Sequence, residues 1–254
     1  MISEREINDL TGRIFKIQSA SDFGKAAMEI FRFQATHCKI YREFLNYLKI
    51  AVTKVETTDR IPFLPVNFFR TTKVTCAEKK HDELFISSGT TGTGGSRHYV
   101  YDRSIYKTGF FKTFKLFYGD LPVYRILALL PSYYGRKDSS LIYMVKHLIA
   151  GTGNPESGFY HENADELVNI IGELEKKNKK AILIGLSFAL LDLAEKYRLK
   201  LNNTIVMETG GMKGRRAEIT RAGMHDFLCE RFGLEKIHSE YGMTELLTQA
   251  YSPG

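Results

Sequence analysis

From about residue 83 onward, short apolar runs alternate with stretches of helical periodicity, and this alternation constrains the fold more than any other feature. Five runs have the length and composition of strands: 84–87, 124–130, 181–184, 204–207 and 236–239. Helices are predicted over 163–177, where Asn163 and Glu166 have capping-box spacing, and over 216–232, closed by Gly233. Strands that alternate with helices pack as layers on a largely parallel sheet. The sequence therefore predicts a layered α/β domain.

The first 80 residues follow a different pattern. Apolar side chains between residues 22 and 48 recur at spacings of three and four, which predicts one amphipathic helix with Cys38 on its buried face. Pro62 and Pro65 follow and favour an extended connector. We therefore divide the chain, 1–254, into a mainly helical lead segment, 1–80, and an α/β portion, 81–254.

Composition narrows the class of protein. With 254 residues, 43% hydrophobic and 26% charged, the chain is typical of globular proteins and not of disordered or collagenous ones. The three cysteines, Cys38, Cys76 and Cys229, are widely separated and form no CxxC pair, so neither a disulfide framework nor a zinc site is indicated. A reducing cytoplasm fits this usage. The most apolar stretch, 181–194, is too short to span a bilayer, so no transmembrane segment is expected.

The charge balance suits an anionic partner, because Lys and Arg exceed Asp and Glu by seven. The basic cluster at 176–180 ends a predicted helix, where cations stabilise the negative pole, and is interpreted as a solvated helix end. Nucleic-acid binding would need basic and aromatic residues interleaved on one face, which the motifs below do not supply.

The densest motif is the stretch 87–97, Ser-Ser-Gly-Thr-Thr-Gly-Thr-Gly-Gly-Ser-Arg, which follows a predicted strand with four glycines and six hydroxyl side chains. Glycines let backbone N–H groups approach a phosphate, and hydroxyls add donors without bulk. Gly95 stands where a Walker loop needs lysine, and Arg97 where a dinucleotide fingerprint needs glycine, which excludes both motifs. A flexible surface turn is the alternative interpretation.

Two further motifs follow predicted strands. Residues 239–245, Ser-Glu-Tyr-Gly-Met-Thr-Glu, lead through Gly242 into a predicted helix over 246–250. An aromatic ring, a hydroxyl and a carboxylate at a strand's carboxyl end could contact a base, a phosphate and a metal ion. Residues 208–213 contain the pair Gly210-Gly211, which would let a flat ring lie against the backbone. Taken alone, residues 239–245 are better explained by an ordinary capped turn, and a simple turn explains residues 208–213 equally well.

In their order along the chain, the three motifs resemble the phosphate loop, adenine-wall segment and Tyr-Gly-x-Thr-Glu motif of the acyl-adenylate-forming (ANL) superfamily. Within this superfamily, the sequences of several segments resemble the acyl-protein synthetase family of bacterial bioluminescence, the LuxE-like family. The segments that carry this resemblance are 61–65, 87–99, 130–133, 139–144 and 208–215. The resemblance covers most of the chain from about residue 25.

The resemblance implies the layered large N-terminal domain of an enzyme that activates a fatty acid with ATP and Mg²⁺. The acyl group would then pass to a protein thiol on a reductase or carrier. The implied nucleotide-binding residues are Ser87, Ser88, Gly89, Thr90, Thr91, Gly92, Ser96, Arg97, Thr209, Gly210, Gly211, Tyr241, Gly242 and Thr244. Thr244, at the α-phosphate, and Glu245, as the Mg²⁺ ligand, are the implied catalytic residues. Tyr133 and Tyr134 fall near the aromatic gate of the acyl pocket in such enzymes.

The chain departs from the family at its end. It stops nine residues after Glu245, whereas adenylating enzymes continue into a small mobile domain, so we expect a fragment of the large domain. Cys229 is expected to be a buried helix cysteine and not the acyl acceptor. Arg97 is expected to supply the cation that the phosphate loop lacks. The alternatives are an acyl-CoA ligase of the phenylacetate–CoA ligase type, a non-catalytic nucleotide-binding or scaffold fragment, and a basic nucleic-acid binder.

Overall fold

The computed structural model describes residues 4–76, 81–87, 95–131, 135–160, 163–212, 214–217 and 219–254. It divides into two compact units. The described residues up to 105 form the first unit, and those from 106 onward form the second.

The first unit is built on helices α1 (Glu4–Ile14), α2 (Ala20–His37), α3 (Lys39–Tyr47) and α4 (Phe68–Thr71). The single helix predicted over 22–48 is therefore wrong, because the backbone of Cys38 is extended and separates α2 from α3. One straight helix of that length would run about 40 Å and could not bury both halves in one small core. The bend lets Phe31 of α2 and Leu45 of α3 enter the same cluster, in which Cys38 is buried as predicted.

Residues 61–65 form no helix, as the two prolines predict, and the backbone of Ile61 is extended. The Tyr41 hydroxyl donates to the Pro62 carbonyl at 2.8 Å. The first unit also contains β1 (Glu83–Ile86) and β2 (Arg97–Val100). These strands pair antiparallel, with Ile86 opposite Arg97, and the Ser/Gly-rich motif connects them.

The second unit is built on a six-stranded sheet of order β4-β3-β5-β6-β7-β8. Its strands are β3 (Arg125–Leu129), β4 (Gly158–Phe159), β5 (Ala181–Leu186), β6 (Thr204–Thr209), β7 (His238–Gly242) and β8 (Gln249–Ser252). All neighbours are parallel except β7 and β8. The four strands predicted in this unit are confirmed, with bounds within three residues.

In the described part of this unit, five helices accompany the sheet: α5 (Arg103–Tyr118), α6 (Ser140–Thr152), α7 (Ala164–Lys176), α8 (Ser187–Lys196) and α9 (Arg221–Phe232). Phe110 of α5 and Tyr143 of α6 are in ring contact, which joins these two helices on one face. Arg231 of α9 donates to the Ala194 carbonyl of α8 on the other face. Helices on both faces of a largely parallel sheet confirm the predicted layered α/β fold.

The helix ends follow their caps. The Asn163 side chain accepts from the Glu166 N–H at 3.0 Å, so α7 begins where the capping pattern predicts. Helix α9 begins at Arg221, five residues later than predicted, because the Thr220 hydroxyl supplies the cap by accepting from the Gly223 N–H. Gly233, with a φ of 67°, ends it as predicted.

The helix predicted over 246–250 is wrong. Residues Gln249–Ser252 form β8, in which Gln249 and Tyr251 are buried and Tyr251 lies opposite Glu240 of β7. The turn at 243–248 returns the chain to β7, so pairing with that strand outweighs local helix preference. The apolar stretch at 181–194 is β5 followed by α8, almost all of it buried. No described helix is long and apolar enough to cross a membrane.

Candidate functional site

The carboxyl ends of the parallel strands in the second unit lie along one side of the sheet, which we call the carboxyl edge. Strand β6 leads into Gly210 and Gly211, and its neighbour β7 leads into the turn at 243–248. Strand β3 pairs with β4 on one side and with β5 on the other, so the strand order reverses there. In open α/β sheets, ligands bind outside the carboxyl ends of the strands. The reversal lies at β3, and the ends of β6 and β7 lie two and three strands from it.

A polar network surrounds Glu208 on the α9 face of this edge. The Ser239 and Ser187 hydroxyls donate to the two Glu208 carboxylate oxygens at 2.6 and 3.0 Å. Arg221 donates to the Ser239 oxygen at 2.7 Å, and its Nε lies 3.8 Å from Glu208 Oε1. The His225 Nε2 lies 3.7 Å from the same oxygen and has no hydrogen-bond partner within the described chain. Both oxygens of Glu208 thus accept hydrogen bonds from serine hydroxyls.

The opposite face of the same edge holds a second acidic side chain, Glu240. It is 6% exposed and accepts a 2.6 Å hydrogen bond from the Thr209 hydroxyl. Burial raises the pKa of Glu240 to about 7, against the lowering effect of that hydrogen bond. A Cβ at position 242 would lie 2.8 Å from Glu240 Oε1, so Gly242 leaves room for the carboxyl group. Glu240 therefore exchanges its proton near neutral pH.

Aromatic side chains of α5 and β8 cover this second face. The Tyr118 hydroxyl and His238 Nδ1 are 3.1 Å apart, and the Tyr118 and Tyr251 rings are in edge contact at 5.2 Å. Burial lowers the pKa of His238 to about 4, so its ring is neutral at pH 7. Gln249 donates to the Phe110 carbonyl and the Tyr251 hydroxyl, both at 3.3 Å.

The sequence-predicted residues of the adenine-wall motif lie at the end of β6. Thr209 is 3% exposed and its hydroxyl is engaged by Glu240, so this side chain acts inside the fold. Gly210 and Gly211 have φ values of 73° and 67°, a backbone region that favours glycine. The space where Gly211 would carry a Cβ is open for 4 Å, so a flat group could approach its backbone.

The Tyr-Gly-x-Thr-Glu motif lies at the end of β7. Tyr241 and Gly242 close the strand, and the Tyr241 side chain is 61% exposed. Thr244 and Glu245 lie in the following turn and are half-buried. Mg²⁺ is commonly held by one or two carboxylates together with substrate phosphates, and Glu245 supplies a carboxylate in this turn. Within the described residues, no group of three or more His, Cys, Asp and Glu side chains could hold a metal.

Three predicted residues lie in the first unit, at the base of the Ser/Gly-rich motif. The Ser87 N–H donates to the Ser96 carbonyl at 3.0 Å, and the Ser96 N–H donates to the Ser87 hydroxyl at 2.8 Å. A Cβ at Gly95 would lie 2.1 Å from the Ser87 carbonyl oxygen, so only glycine fits this approach. Arg97 is exposed at the start of β2. The predicted residues Ser88, Gly89, Thr90, Thr91, Gly92, Tyr133 and Tyr134 lie outside the described residues.

Four residues of these networks have no role among those predicted from the motifs: Glu208, Arg221, His225 and Glu240. A charged residue inside an otherwise apolar predicted strand could have marked such a position in the sequence. Buried carboxylates occur where they are paired or functional. Glu208 in the 204–209 strand is the clearest instance.

A layered α/β domain with a polar site at the carboxyl edge of its parallel sheet is the class that the fold and site define. No family profile matches the chain, and no curated protein matches it. Among solved structures, O-succinylbenzoate coenzyme A synthetase (MenE) from Bacillus subtilis, in complex with ATP and magnesium ion, is similar at 16% identity with a TM-score of 0.44. That match covers 70% of this chain and 34% of the other, so the chain spans about a third of its length. Function therefore has to be inferred from the chain's own motifs and side chains.

Proposed function

We propose that this chain is the nucleotide-binding part of an ATP-dependent acyl-adenylate-forming ligase. One observation carries the proposal: two motifs that resemble those of such enzymes, 209–211 and 241–245, follow the neighbouring parallel strands β6 and β7. Residues about 30 apart in sequence thus leave the sheet at the same edge, where α/β sheets bind nucleotides.

The adenine base is assigned to the surface between these strand ends. Tyr241 offers an exposed ring for stacking, and Gly211 offers backbone with open space beside it. Thr244 is assigned to the α-phosphate. Glu245 is assigned to the magnesium ion, which neutralises phosphate charge when bound.

We assign the Ser/Gly-rich motif to the β- and γ-phosphates on its composition. The Ser87–Ser96 hydrogen bonds close its base, and Arg97 is the exposed cation that follows it. A short loop of glycines and hydroxyls offers the backbone N–H groups and small donors that phosphate oxygens accept.

The proposed reaction has two transfers. A carboxylate oxygen of the acid attacks the α-phosphorus of ATP, the new P–O bond forms, and pyrophosphate leaves with the electrons of the broken bond. A thiolate then attacks the acyl carbon and releases AMP, which leaves a thioester. We propose a fatty acid as the acid and a protein thiol as the acceptor, because the motif sequences resemble those of acyl-protein synthetases.

Nucleotide binding is the first test and needs only the chain as it stands. Titration calorimetry with ATP and Mg²⁺ is expected to show binding that Tyr241→Ala weakens by about tenfold, since a stacked base is worth about 1–3 kcal/mol. Tyr241→Phe should retain the affinity because it retains the ring. Tyr47→Ala is the matched control, since Tyr47 is an 85% exposed tyrosine at the end of α3. Equal affinity for the Tyr241→Ala variant and the wild type would remove the stacking assignment.

The metal and cation assignments have their own readouts. Glu245→Gln should weaken binding of ATP in the presence of Mg²⁺ and leave metal-free binding nearly unchanged. Arg97→Ala should weaken binding of ATP more than binding of AMP, because AMP lacks the β- and γ-phosphates. A loss of equal size for both nucleotides would contradict the role proposed for Arg97.

The chemistry is tested by incubation with ATP, Mg²⁺ and a panel of fatty acids, followed by mass spectrometry for the acyl-adenylate. Parallel samples with coenzyme A or with a thiol-bearing carrier protein distinguish the acceptors. Transfer to coenzyme A alone would favour the phenylacetate–CoA ligase type. Nucleotide binding without any adduct would favour a non-catalytic nucleotide-binding domain.

A further inference from the structure

Two cysteines that are far apart in sequence meet in the first unit. Cys38 lies at the junction of α2 and α3 and is 3% exposed. Cys76 lies in the irregular segment after α4, is only partly buried, and packs against the apolar cluster that contains Cys38. The two thiols share a side-chain hydrogen bond. The pair is therefore buried at Cys38 and reached by solvent at Cys76.

The surroundings favour a negative charge on the Cys38 sulfur. Its pKa is lowered by the hydrogen bond from Cys76 and by the backbone N–H groups of Tyr41, Thr75 and Ile40, against the opposing effect of burial. Ile40 and Tyr41 lie in the first turn of α3, where the helix dipole also favours an anion. The pKa of Cys76 is raised because its proton is shared with Cys38 and because it is buried. The pair thus places a thiol of lowered pKa beside a second thiol in the same apolar cluster.

We propose that Cys38 and Cys76 form a reversible disulfide and are the redox-sensitive site of this protein. A disulfide requires the sulfurs to close to about 2 Å, a movement of roughly 1–2 Å from hydrogen-bond contact. Cys76 can make this movement because its segment has no regular secondary structure. Cys229 lies in the second unit, within α9, and has no part in the site.

The oxidant is a peroxide. The peroxide reaches the pair from the side of Cys76, which solvent contacts. The Cys38 thiolate attacks one peroxide oxygen, the O–O bond breaks, and the sulfur becomes a sulfenic acid while hydroxide or alkoxide leaves. The Cys76 sulfur then attacks the Cys38 sulfur, the S–S bond forms, and the sulfenic oxygen leaves as water with the Cys76 proton. Two electrons pass from the two sulfurs to the peroxide, and a dithiol reductant returns them by thiol–disulfide exchange.

The bond would join the α2–α3 junction to the segment that precedes β1. It closes a loop of about 40 residues, which restricts the unfolded chain and raises the unfolding temperature of the first unit. Oxidation is therefore expected to stabilise the unit that carries Ser87, Ser96 and Arg97.

The test uses the whole chain, reduced, desalted and titrated with hydrogen peroxide, then alkylated and digested without reductant. The expected result is a linked peptide containing Cys38 and Cys76, with the mass of two lost hydrogens, that disappears after dithiothreitol. The Cys229→Ser variant should give the same linked peptide and the same rise in unfolding temperature. Cys76→Ser should give neither, and should accumulate sulfenic acid at Cys38.

Two results would overturn the proposal. One is alkylation of Cys38 and Cys76 as separate thiols after a peroxide excess that oxidises other residues. The other is a disulfide formed through Cys229 between two chains while Cys38 and Cys76 remain reduced. Both are read from the wild-type peptide map, so the outcome does not depend on whether the serine variants fold.

Discussion

Glu208 and Glu240 occupy nearly equivalent positions on opposite faces of the sheet edge, and their environments differ. Glu208 of β6 accepts from two serine hydroxyls and lies beside Arg221 and His225. Glu240 of β7 accepts from one threonine hydroxyl and lies among the aromatic groups of α5 and β8. Two residues of the same type at one edge are thus held differently, because their neighbours supply different numbers of donors and positive charges. The α9 face surrounds its carboxyl group with several donors, whereas on the α5 face burial raises the pKa of Glu240 to about 7.

Among the changes that test this comparison, removal of Glu208 is expected to lower the free energy of unfolding most. Glu208→Ala takes the acceptor from Ser239 and Ser187 and the partner from Arg221, so the free energy of unfolding should fall by about 3–4 kcal/mol. Urea denaturation followed by circular dichroism measures it. Glu230→Ala is the matched control, because the Glu230–Arg198 pair is about two-thirds exposed, and should change stability by less than about 1 kcal/mol. Equal small losses in both variants would mean that the network does not stabilise the edge.

The second prediction concerns pH. Since the pKa of Glu240 is about 7 in the folded state and 4.5 in the unfolded reference, the folded protein binds the extra proton between these values. The Glu240 contribution to stability is therefore complete below pH 4.5 and is lost as pH rises through about 7. The loss amounts to about 3 kcal/mol. His238, with a pKa lowered from 6.5 to about 4, acts with the opposite sign by losing stability as pH falls.

Glu240→Gln separates the two contributions. It removes the carboxyl titration and leaves His238, so the wild-type stability should fall relative to the variant between pH 4.5 and about 7. Parallel urea titrations across this range measure the difference. A constant difference between wild type and variant would show that Glu240 titrates at its ordinary pKa, and the contrast between the two faces would fail.

The third prediction concerns the hydrogen bond that Glu240 accepts from the Thr209 hydroxyl on the α5 face. Thr209→Val leaves Glu240 without its hydroxyl donor, and because the carboxyl group is buried this should cost about 2 kcal/mol at neutral pH. The same change should raise the pKa of Glu240 further, since the hydrogen bond favours the charged form. Thr36→Val is the matched control, because the Thr36 hydroxyl donates to a backbone carbonyl on the exposed side of α2. A loss at Thr209 no greater than that at Thr36 would contradict the buried role of this bond.

The strands were predictable because their apolar content is local. β5 reads as a continuous apolar run, and it lies in the middle of the sheet with neighbours on both sides. β8 was not predictable, since Gln249 and Tyr251 become strand residues only through pairing with β7. The break at Cys38 has the same origin, because no proline or glycine marks it and the common core of α2 and α3 decides it.

The motifs identified the strand ends of the candidate site but not its internal partners. Glu208 and Glu240 receive their hydrogen bonds from Ser239 and Thr209, each 31 positions away in the chain. The Cys38–Cys76 pair is likewise a product of packing, since spacing alone indicated no disulfide. Residue type and local pattern predict which segments reach the edge of the sheet. The parallel register of β6 and β7 decides which side chains meet there.

Ser239→Ala is expected to give the smallest loss of stability. It tests whether the several donors to Glu208 on the α9 face can replace one another. The change removes one donor to Glu208, but Ser187 still donates to the other oxygen and the Arg221 Nε remains 3.8 Å away. The free energy of unfolding should therefore fall by only about 1 kcal/mol, less than for Thr209→Val, where no second hydroxyl replaces the lost donor to Glu240. Ser239→Ala combined with Ser187→Ala should exceed the sum of the single losses, because only the double variant leaves Glu208 without a hydroxyl donor. Additive losses would mean that the two serines act independently, and that the α9 face gains nothing from having several donors.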